Sequence, residues 1–311
     1  MTCDHVATLF FTHYNFQSTI IRAMLPKFLD LINIIQNEDE CLNFLQENDI
    51  FYLIERCDIC GSNVVLEGKS YRCTRRYCRK RVSLYTGTIF SKSKLKCNEL
   101  IHIAYLWLAG CNNTSIVSIT GHSNTTISSY ISLFRQVVSA SLDRDDTIIG
   151  GEGIVVEIDE SKFGKRKYHR GHRVEGVWVI GGVERTDQRL MFAEVVERRD
   201  EETLLEVISR HVAPGSIVHT DLWRGYTNLS QFLNVQHRTV NHSRHFINPE
   251  DGTHTNTIEG TWNGIKMKIP SRKRSREGMD EHLLEFIWRR KNEANLWNGF
   301  LQSIGLVHIF D

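Results

Sequence analysis

Ile154-Val155-Val156-Glu157-Ile158-Asp159-Glu160-Ser161 is the stretch on which the fold turns. Its first five residues are mostly β-prone and apolar, so they read as a strand that ends at a carboxylate, Asp159. Working outward, Val174 to Val183 and Leu190 to Val196 read as two more strands, and Glu201 to His211 as a helix. Pro214-Gly215 marks a turn before a strand from Ser216 to His219, and Val235 to Val240 offers another short strand. Thr257 to Lys268 and Met279 to Trp297 carry helical patterns.

Three strands, a helix, a strand and further helices is the order of an RNase H-like α/β domain, placed here at residues 150–300. The polar, glycine-rich Asp143 to Gly153 is its upstream boundary. Before it, residues 93–142 read as helical. Leu100, Ile103, Ala104 and Trp107 make one apolar stripe; Ile127, Tyr130, Ile131, Phe134, Val137 and Val138 make another. Between them Thr114 to Gly121 is a short helix ended by glycine, and Ser123 is the expected N-cap of the next. Helix, short helix, glycine turn and helix is the outline of a helix-turn-helix, which many three-helix bundles share. Residues 51–92 hold four cysteines among arginines and short β-prone pieces, and residues 1–50 read as a helical lead-in through Phe28, Leu31, Ile32, Ile35, Cys41, Leu42 and Leu45.

Composition sets the outer limits. The chain has 311 residues, 41% hydrophobic, with a net charge of +1, enough for about two domains with buried cores. The charge is uneven: residues 1–50 hold two basic and seven acidic residues, residues 51–100 eleven and four. A local basic surface on a neutral whole suits a protein that grips a polyanion at chosen places, although ordinary surface charge gives the same count. No secretory leader or membrane span stands out, so the expected location is nuclear in a eukaryote and cytoplasmic otherwise, not secreted. Reduced thiols are the rule there, which points the cysteines toward metal before disulfides.

Cys57-Asp58-Ile59-Cys60 and Cys73-Thr74-Arg75-Arg76-Tyr77-Cys78 form two pairs separated by twelve residues. Four soft ligands on two tight turns suit a structural Zn2+ in a zinc ribbon, and Gly61 suits the turn after the first pair. Unligated thiols are the alternative. Cys3, Cys41, Cys97 and Cys111 lack the pairing and read as ordinary buried residues. Arg72, Arg75, Arg76, Arg79, Lys80 and Arg81 crowd the second pair, as phosphate contacts or as a solvated basic face.

Three acidic residues stand where the fold order would bring them together: Asp159 and Asp221 at strand ends, Glu259 in the first turn of a helix. Carboxylate oxygens suit Mg2+ or Mn2+, and two such ions can activate a nucleophile and stabilise a leaving oxygen in phosphoryl transfer. Turn capping by Asp159, N-capping by Asp221 and a helix-dipole role for Glu259 are the plain alternatives. Glu157 and Glu160 are rivals, expected to point away from the face of Asp159.

Asp159 to Trp178, His219-Thr220-Asp221-Leu222-Trp223-Arg224-Gly225-Tyr226, and Val240 to Trp262 with its His254-Thr255-Asn256-Thr257-Ile258-Glu259 resemble the three catalytic blocks of Merlin-type DDE DNA transposases and their bacterial insertion-sequence relatives. The cysteine region, followed by Thr86-Gly87-Thr88-Ile89-Phe90, is also similar to that family, and the likeness runs from about residue 25 to 300. The resemblance implies an RNase H-like core with Asp159, Asp221 and Glu259 as catalytic and Mg2+- or Mn2+-binding residues. It implies that water attacks a phosphodiester at the transposon end and that the freed 3′-hydroxyl attacks target DNA. Double-stranded DNA is then the partner, with a homo-oligomer expected in the synapse.

Lys162, Lys165, Arg166, Lys167, Arg170 and Arg173 follow Asp159 and read as a basic hairpin holding DNA beside the metals. His254 and Asn256 are metal-supporting or DNA contacts, or simply start a helix. Ser271 to Arg276, with Lys266 and Lys268 before it, is a basic run for DNA, a nuclear address or solvated loop. A domesticated, non-catalytic DNA-binding protein is the alternative function; it differs only in whether the triad still cuts.

Overall fold

The β-prone residues Val155, Val156 and Ile158 begin the central strand of the larger sheet, in a computed structural model that describes residues 25–91, 93–164, 176–241 and 246–308. The first described elements are a 3-10 turn at Phe28–Leu31, α1 (Ile32–Gln36) and α2 (Glu38–Glu47), started by the Asn37 side chain accepting from the backbone N–H of Asp39. Leu31, Ile35, Cys41, Leu42 and Leu45 are buried. A small antiparallel sheet follows: β1 (Val64–Glu67), β2 (Ser70–Cys73) and β3 (Arg81–Ser83). Then come α3 (Cys97–Leu108), α4 (Asn113–Thr120) and α5 (Asn124–Ala140). Gly121 ends α4 at φ 74°, a conformation that costs glycine little, and Ser123 Oγ accepts from Thr126 N at 3.1 Å to start α5.

The larger sheet has five strands in the order β10-β9-β5-β6-β7. Its members are β5 (Val155–Phe163), β6 (Val177–Glu184), β7 (Met191–Val196), β9 (Ile217–Asp221) and β10 (Gln236–Val240). β5, β6 and β7 are antiparallel neighbours, whereas β9 runs parallel to β5 and β10 parallel to β9. Two short strands, β4 (Ile149–Gly150) and β8 (Val212–Ala213), pair beside it. One face is covered by α6 (Glu201–His211) and α7 (Leu229–Phe232), with Leu204, Val207, Tyr226 and Leu229 packed against Val156, Ile158 and Ile180. The other is covered by α8 (Asn256–Lys268) and α9 (Met279–Lys291), whose Trp262, Ile265, Leu283 and Ile287 meet Phe163, Val177 and Val179.

The expected helix from Met279 to Trp297 is two helices, because α9 stops at Lys291 and α10 occupies Leu296–Leu306. Asn292 turns its amide back onto the Trp288 carbonyl, and the Asn295 side chain accepts from Asn298 N to begin α10. Gly299 lets the two approach: a Cβ there would lie 2.3 Å from Asn292 Oδ1. α10 returns to the N-terminal helices, with Trp107 and Phe134 against Phe300, the latter pair edge-to-face at 5.4 Å. Such a pair adds about 1 kcal/mol beyond its buried area. The Glu285 carboxylate, between Arg135 of α5 (2.7 Å) and Arg289 of α9 (2.8 Å), ties the same bodies electrostatically.

Candidate active site and cysteine knuckles

Strand alternation decides which carboxylates share a face. Even-numbered residues of β5 enter the α6 side of the sheet and odd-numbered ones the α8 side, as the contacts of Val156 and Phe163 show. Glu157 and Asp159 therefore point the same way, toward α8. The expectation that Glu157 points away from Asp159 is wrong, since a spacing of two returns a strand residue to the same face. Glu160 does lie on the opposite face, beside Tyr226.

The last pairs between β5 and β9 join Val156 to Val218 and Glu157 to His219. Two residues further on stand Asp159 and Asp221: Asp221 is the last residue of β9, but Asp159 does not end its strand as expected, because β5 continues to Phe163 in its pairing with β6. Trp262 Nε1 donates to Asp159 Oδ2 at 3.0 Å, which holds α8 over the middle of β5 and sets Glu259, three residues earlier, nearby. Gly181 makes the contact possible: it pairs with Asp159 across β5 and β6, and a Cβ there would lie 2.6 Å from the Trp262 ring. Burial pushes the Asp159 carboxyl up to about 6, and the charges of Asp221 and Glu259 push the same way. Asp159 thus feels the charge of both other carboxylates, a repulsion that a divalent cation relieves. Thr255 Oγ1 donates to Glu259 Oε1 at 3.4 Å, and Trp223 N donates to Asp221 Oδ1 at 2.8 Å.

Glu157 is fully buried and anchors the start of α8. Its Oε2 accepts from the backbone N–H groups of Thr257 (2.7 Å) and Ile258 (3.0 Å), and its Oε1 from the Thr257 hydroxyl at 2.9 Å. A carboxylate here satisfies otherwise unpaired amides and meets the positive end of the helix dipole. Arg185 Nε closes an ion pair with Oε1 at 2.6 Å, and Arg185 Nη2 donates to the His254 carbonyl at 2.7 Å. Burial and the Arg185 charge lower the His254 ring, so it meets Glu157 (3.3 Å) uncharged at neutral pH. His254 thus serves the start of the helix, one of the two roles expected for it; Asn256, the first residue of α8, is exposed.

On the opposite face Glu160 is pushed up to about 7, by burial first and by Asp159 next. Its Oε1 and the Tyr226 hydroxyl are both buried. Lys266 was expected only as part of a basic run. It stands two turns after Glu259, its Nζ 5.5 Å from the Phe163 ring; burial lowers it and the charge of Asp159 opposes that. Its spacing of seven from Glu259 on one helix was the available signal. Arg274 of the same run turns inward, Nε to the Ile269 carbonyl at 2.9 Å, closing the end of α8. Of the basic hairpin, Lys162 is exposed beside Trp178, while Lys165, Arg166, Lys167, Arg170 and Arg173 lie outside the described residues.

The four cysteines converge. Among the described residues Cys57, Cys60, Cys73 and Cys78 are the group whose metal-type donor atoms all lie within 4.8 Å of one another. The Cys57–Cys78 sulfurs are 3.7 Å apart and the Cys60–Cys73 sulfurs 3.5 Å, close to the roughly 3.8 Å edge of a tetrahedron built on zinc–sulfur bonds of about 2.3 Å. Gly61 at φ 68° and Arg79 at φ 46° each follow the second cysteine of a pair, so both turns pass through the left-handed region there. Hydrogen bonds from Ser62 lower the Cys60 thiol to about 6, favouring the thiolate that binds metal. Arg75, Arg76, Arg79 and Lys80 are exposed on the second turn. Arg72 differs, since Glu67 pairs with it at 2.6 Å and with Arg81 at 3.1 Å. Asp159, Asp221 and Glu259 do not converge as tightly as the sulfurs; a site for two cations spaced about 4 Å apart does not require it.

The family model described as the ISXO2-like transposase domain matches residues 138–291. An uncharacterized transposase-like protein of Haemophilus influenzae is 33% identical over 105 residues, which cover 33% of this chain and 81% of that protein. No helix among the described residues is long and apolar enough to cross a membrane.

Proposed function

This chain belongs to a transposase family, and we propose that it is an active DDE transposase of the Merlin type, cutting at transposon ends and joining them to target DNA. The observation that carries the proposal is the placement of Asp159 in β5 and Asp221 at the end of the adjacent parallel β9, with Trp262 tying the helix that bears Glu259 to Asp159. The sheet order, three antiparallel strands followed by two parallel ones, supports an RNase H-like catalytic domain.

Asp159, Asp221 and Glu259 fit a pair of Mg2+ or Mn2+ ions, because all three are hard oxygen donors and their mutual repulsion at Asp159 falls when a cation enters. When bound, such ions supply charge neutralisation at the phosphate and polarise the attacking and leaving oxygens. The chain's own residues do the rest. Glu157 fixes the start of the Glu259 helix, Trp262 orients the Asp159 carboxylate, and Lys266 brings a cation to the same helix face for the strand's phosphates. Cys57, Cys60, Cys73 and Cys78 hold a structural Zn2+, whose rigid second knuckle presents Arg75, Arg76, Arg79 and Lys80 to the DNA backbone. α4 and α5 form the helix-turn-helix, with the exposed Asn124, Thr125 and Ser128 at the start of α5 facing the groove.

The test is an excision and joining assay. Purified protein, the terminal repeats flanking its gene and a target plasmid are incubated with Mg2+ or Mn2+. Joined products support the proposal; binding of the repeats with neither cutting nor joining in either metal would make the chain a DNA-binding protein without catalysis.

A further inference from the structure

Arg199 stands over two indoles. Its guanidinium carbon is 4.3 Å from the Trp178 ring centre and 4.2 Å from that of Trp223. Lys162 Nζ approaches Trp178 at 5.2 Å and Arg224 approaches Trp223 at 5.8 Å, so three cations alternate with two indoles along one ladder. The ladder's place follows from the strands. Trp178 pairs with Lys162 across β5 and β6, on the Glu160 side of the sheet and beyond Asp159. Trp223 follows Asp221 by two residues and donates its backbone N–H to that carboxylate. The ladder therefore stands just past the level of Asp159 and Asp221 along the strands, on the Glu160 side of the sheet.

Among the described residues Arg199 forms no hydrogen bond or ion pair. Glu160 is near enough for its charge to be felt, yet makes no salt bridge with it. The neighbouring Arg198 is paired with Asp200 at 3.2 Å. Aromatic contacts restrain a guanidinium while leaving its N–H groups available, and those N–H groups are what meet two oxygens of a phosphate at once.

We propose that Arg199, clamped by Trp178 and Trp223, is a phosphate-binding subsite for the DNA strand passing Asp159 and Asp221. It rests on the transposase reading and adds to it a specific backbone contact. The indoles hold the fork in place, so little side-chain freedom is lost when the phosphate arrives.

The test measures binding of the full chain to a fluorescein-labelled 30-base-pair duplex over a series of salt concentrations, for the unmodified protein, Arg199→Ala, Arg199→Lys and Arg198→Ala. Loss of one phosphate contact lowers the log–log salt slope by about one unit. Arg199→Ala is expected to show that drop and Arg198→Ala to show none. Arg199→Lys keeps the charge and loses the fork, so it is expected to keep the slope and bind several-fold more weakly. An unchanged slope in Arg199→Ala, or an equal drop in Arg198→Ala, overturns the subsite while leaving the transposase reading standing. Where Arg199→Ala does not fold, binding by Arg199→Lys equal to the unmodified protein overturns it. Failure of the unmodified protein to bind the duplex at all overturns both.

Discussion

Replacing Glu157 by alanine removes one side chain and disturbs four partners. The backbone N–H groups of Thr257 and Ile258 lose their acceptor, the Thr257 hydroxyl loses another, and Arg185 keeps its charge without its carboxylate. The pair is largely withdrawn from water, the Glu157 side chain being 0% exposed and that of Arg185 23%. Breaking a buried ion pair by removing one partner costs about 3–5 kcal/mol, because the remaining charge stays buried. At about 2–4 °C per kcal/mol for a domain of this size, the melting temperature of the catalytic domain should fall by roughly 10 °C. Glu157→Gln keeps the shape and one oxygen acceptor and should lose about 2 kcal/mol, the worth of its charge-assisted bonds. Urea titration and thermal melts of the unmodified protein and both variants measure the difference. In the surviving folded fraction of Glu157→Gln, the Mg2+ concentration for half-maximal cleavage should rise, since Glu259 rides on the helix that Glu157 anchors. An alanine variant within 1 kcal/mol of the parent would refute the anchoring role.

Metal analysis of the purified protein should find one equivalent of zinc, with less than half an equivalent counting against the four-cysteine site; Cys73→Ser, at a fully buried ligand, should lose it. Neutralising the exposed Arg75, Arg76 and Arg79 together should lower the salt slope of DNA binding by about one unit per lost phosphate contact, and an unchanged slope would remove this knuckle from the interface. Burial, aided by the Arg135 charge, holds the His282 ring down at about 4. The unfolded chain, with its histidine near 6.5, then binds the extra proton between these values, so His282 makes stability fall as pH drops from about 6.5 to 4. His282→Gln should flatten that part of the urea-midpoint profile, and an unaltered profile would assign the acid loss elsewhere.

The parts of this molecule written in local pattern were legible in the sequence. Short β-prone apolar runs marked the strands near 155, 191 and 217, helical spacing marked α6 and α8, and Gly121 with Ser123 marked the turn between α4 and α5. The cysteine pairs declared their cluster through spacing, and Gly61 its turn. What local pattern misses is decided at long range. The Arg199 ladder joins residues 162, 178, 199, 223 and 224 from different strands and loops, and nothing in any one segment announces it. The ion pair of Arg72 with Glu67 is made across the hairpin, and no single segment announces it. The break between α9 and α10 hides in residues 292–295, where two asparagines end one helix and start the next without a proline or glycine between them. Glu157 was a different kind of miss: strand parity already placed it on the Asp159 face, and its bonds to Thr257 and Ile258 explain why a carboxylate is there.

Cleavage of a labelled transposon-end duplex by Asp221→Ala, with Mg2+ or Mn2+ and beside a binding assay on the same duplex, tests the metal triad most directly. Among the described residues the Asp221 carboxylate accepts a hydrogen bond from the Trp223 backbone N–H, and its loss should leave the fold and the cationic DNA contacts in place. If Asp159, Asp221 and Glu259 jointly hold the catalytic ions, cutting disappears while end-binding stays near that of the unmodified protein. Cutting at the unmodified rate would contradict it.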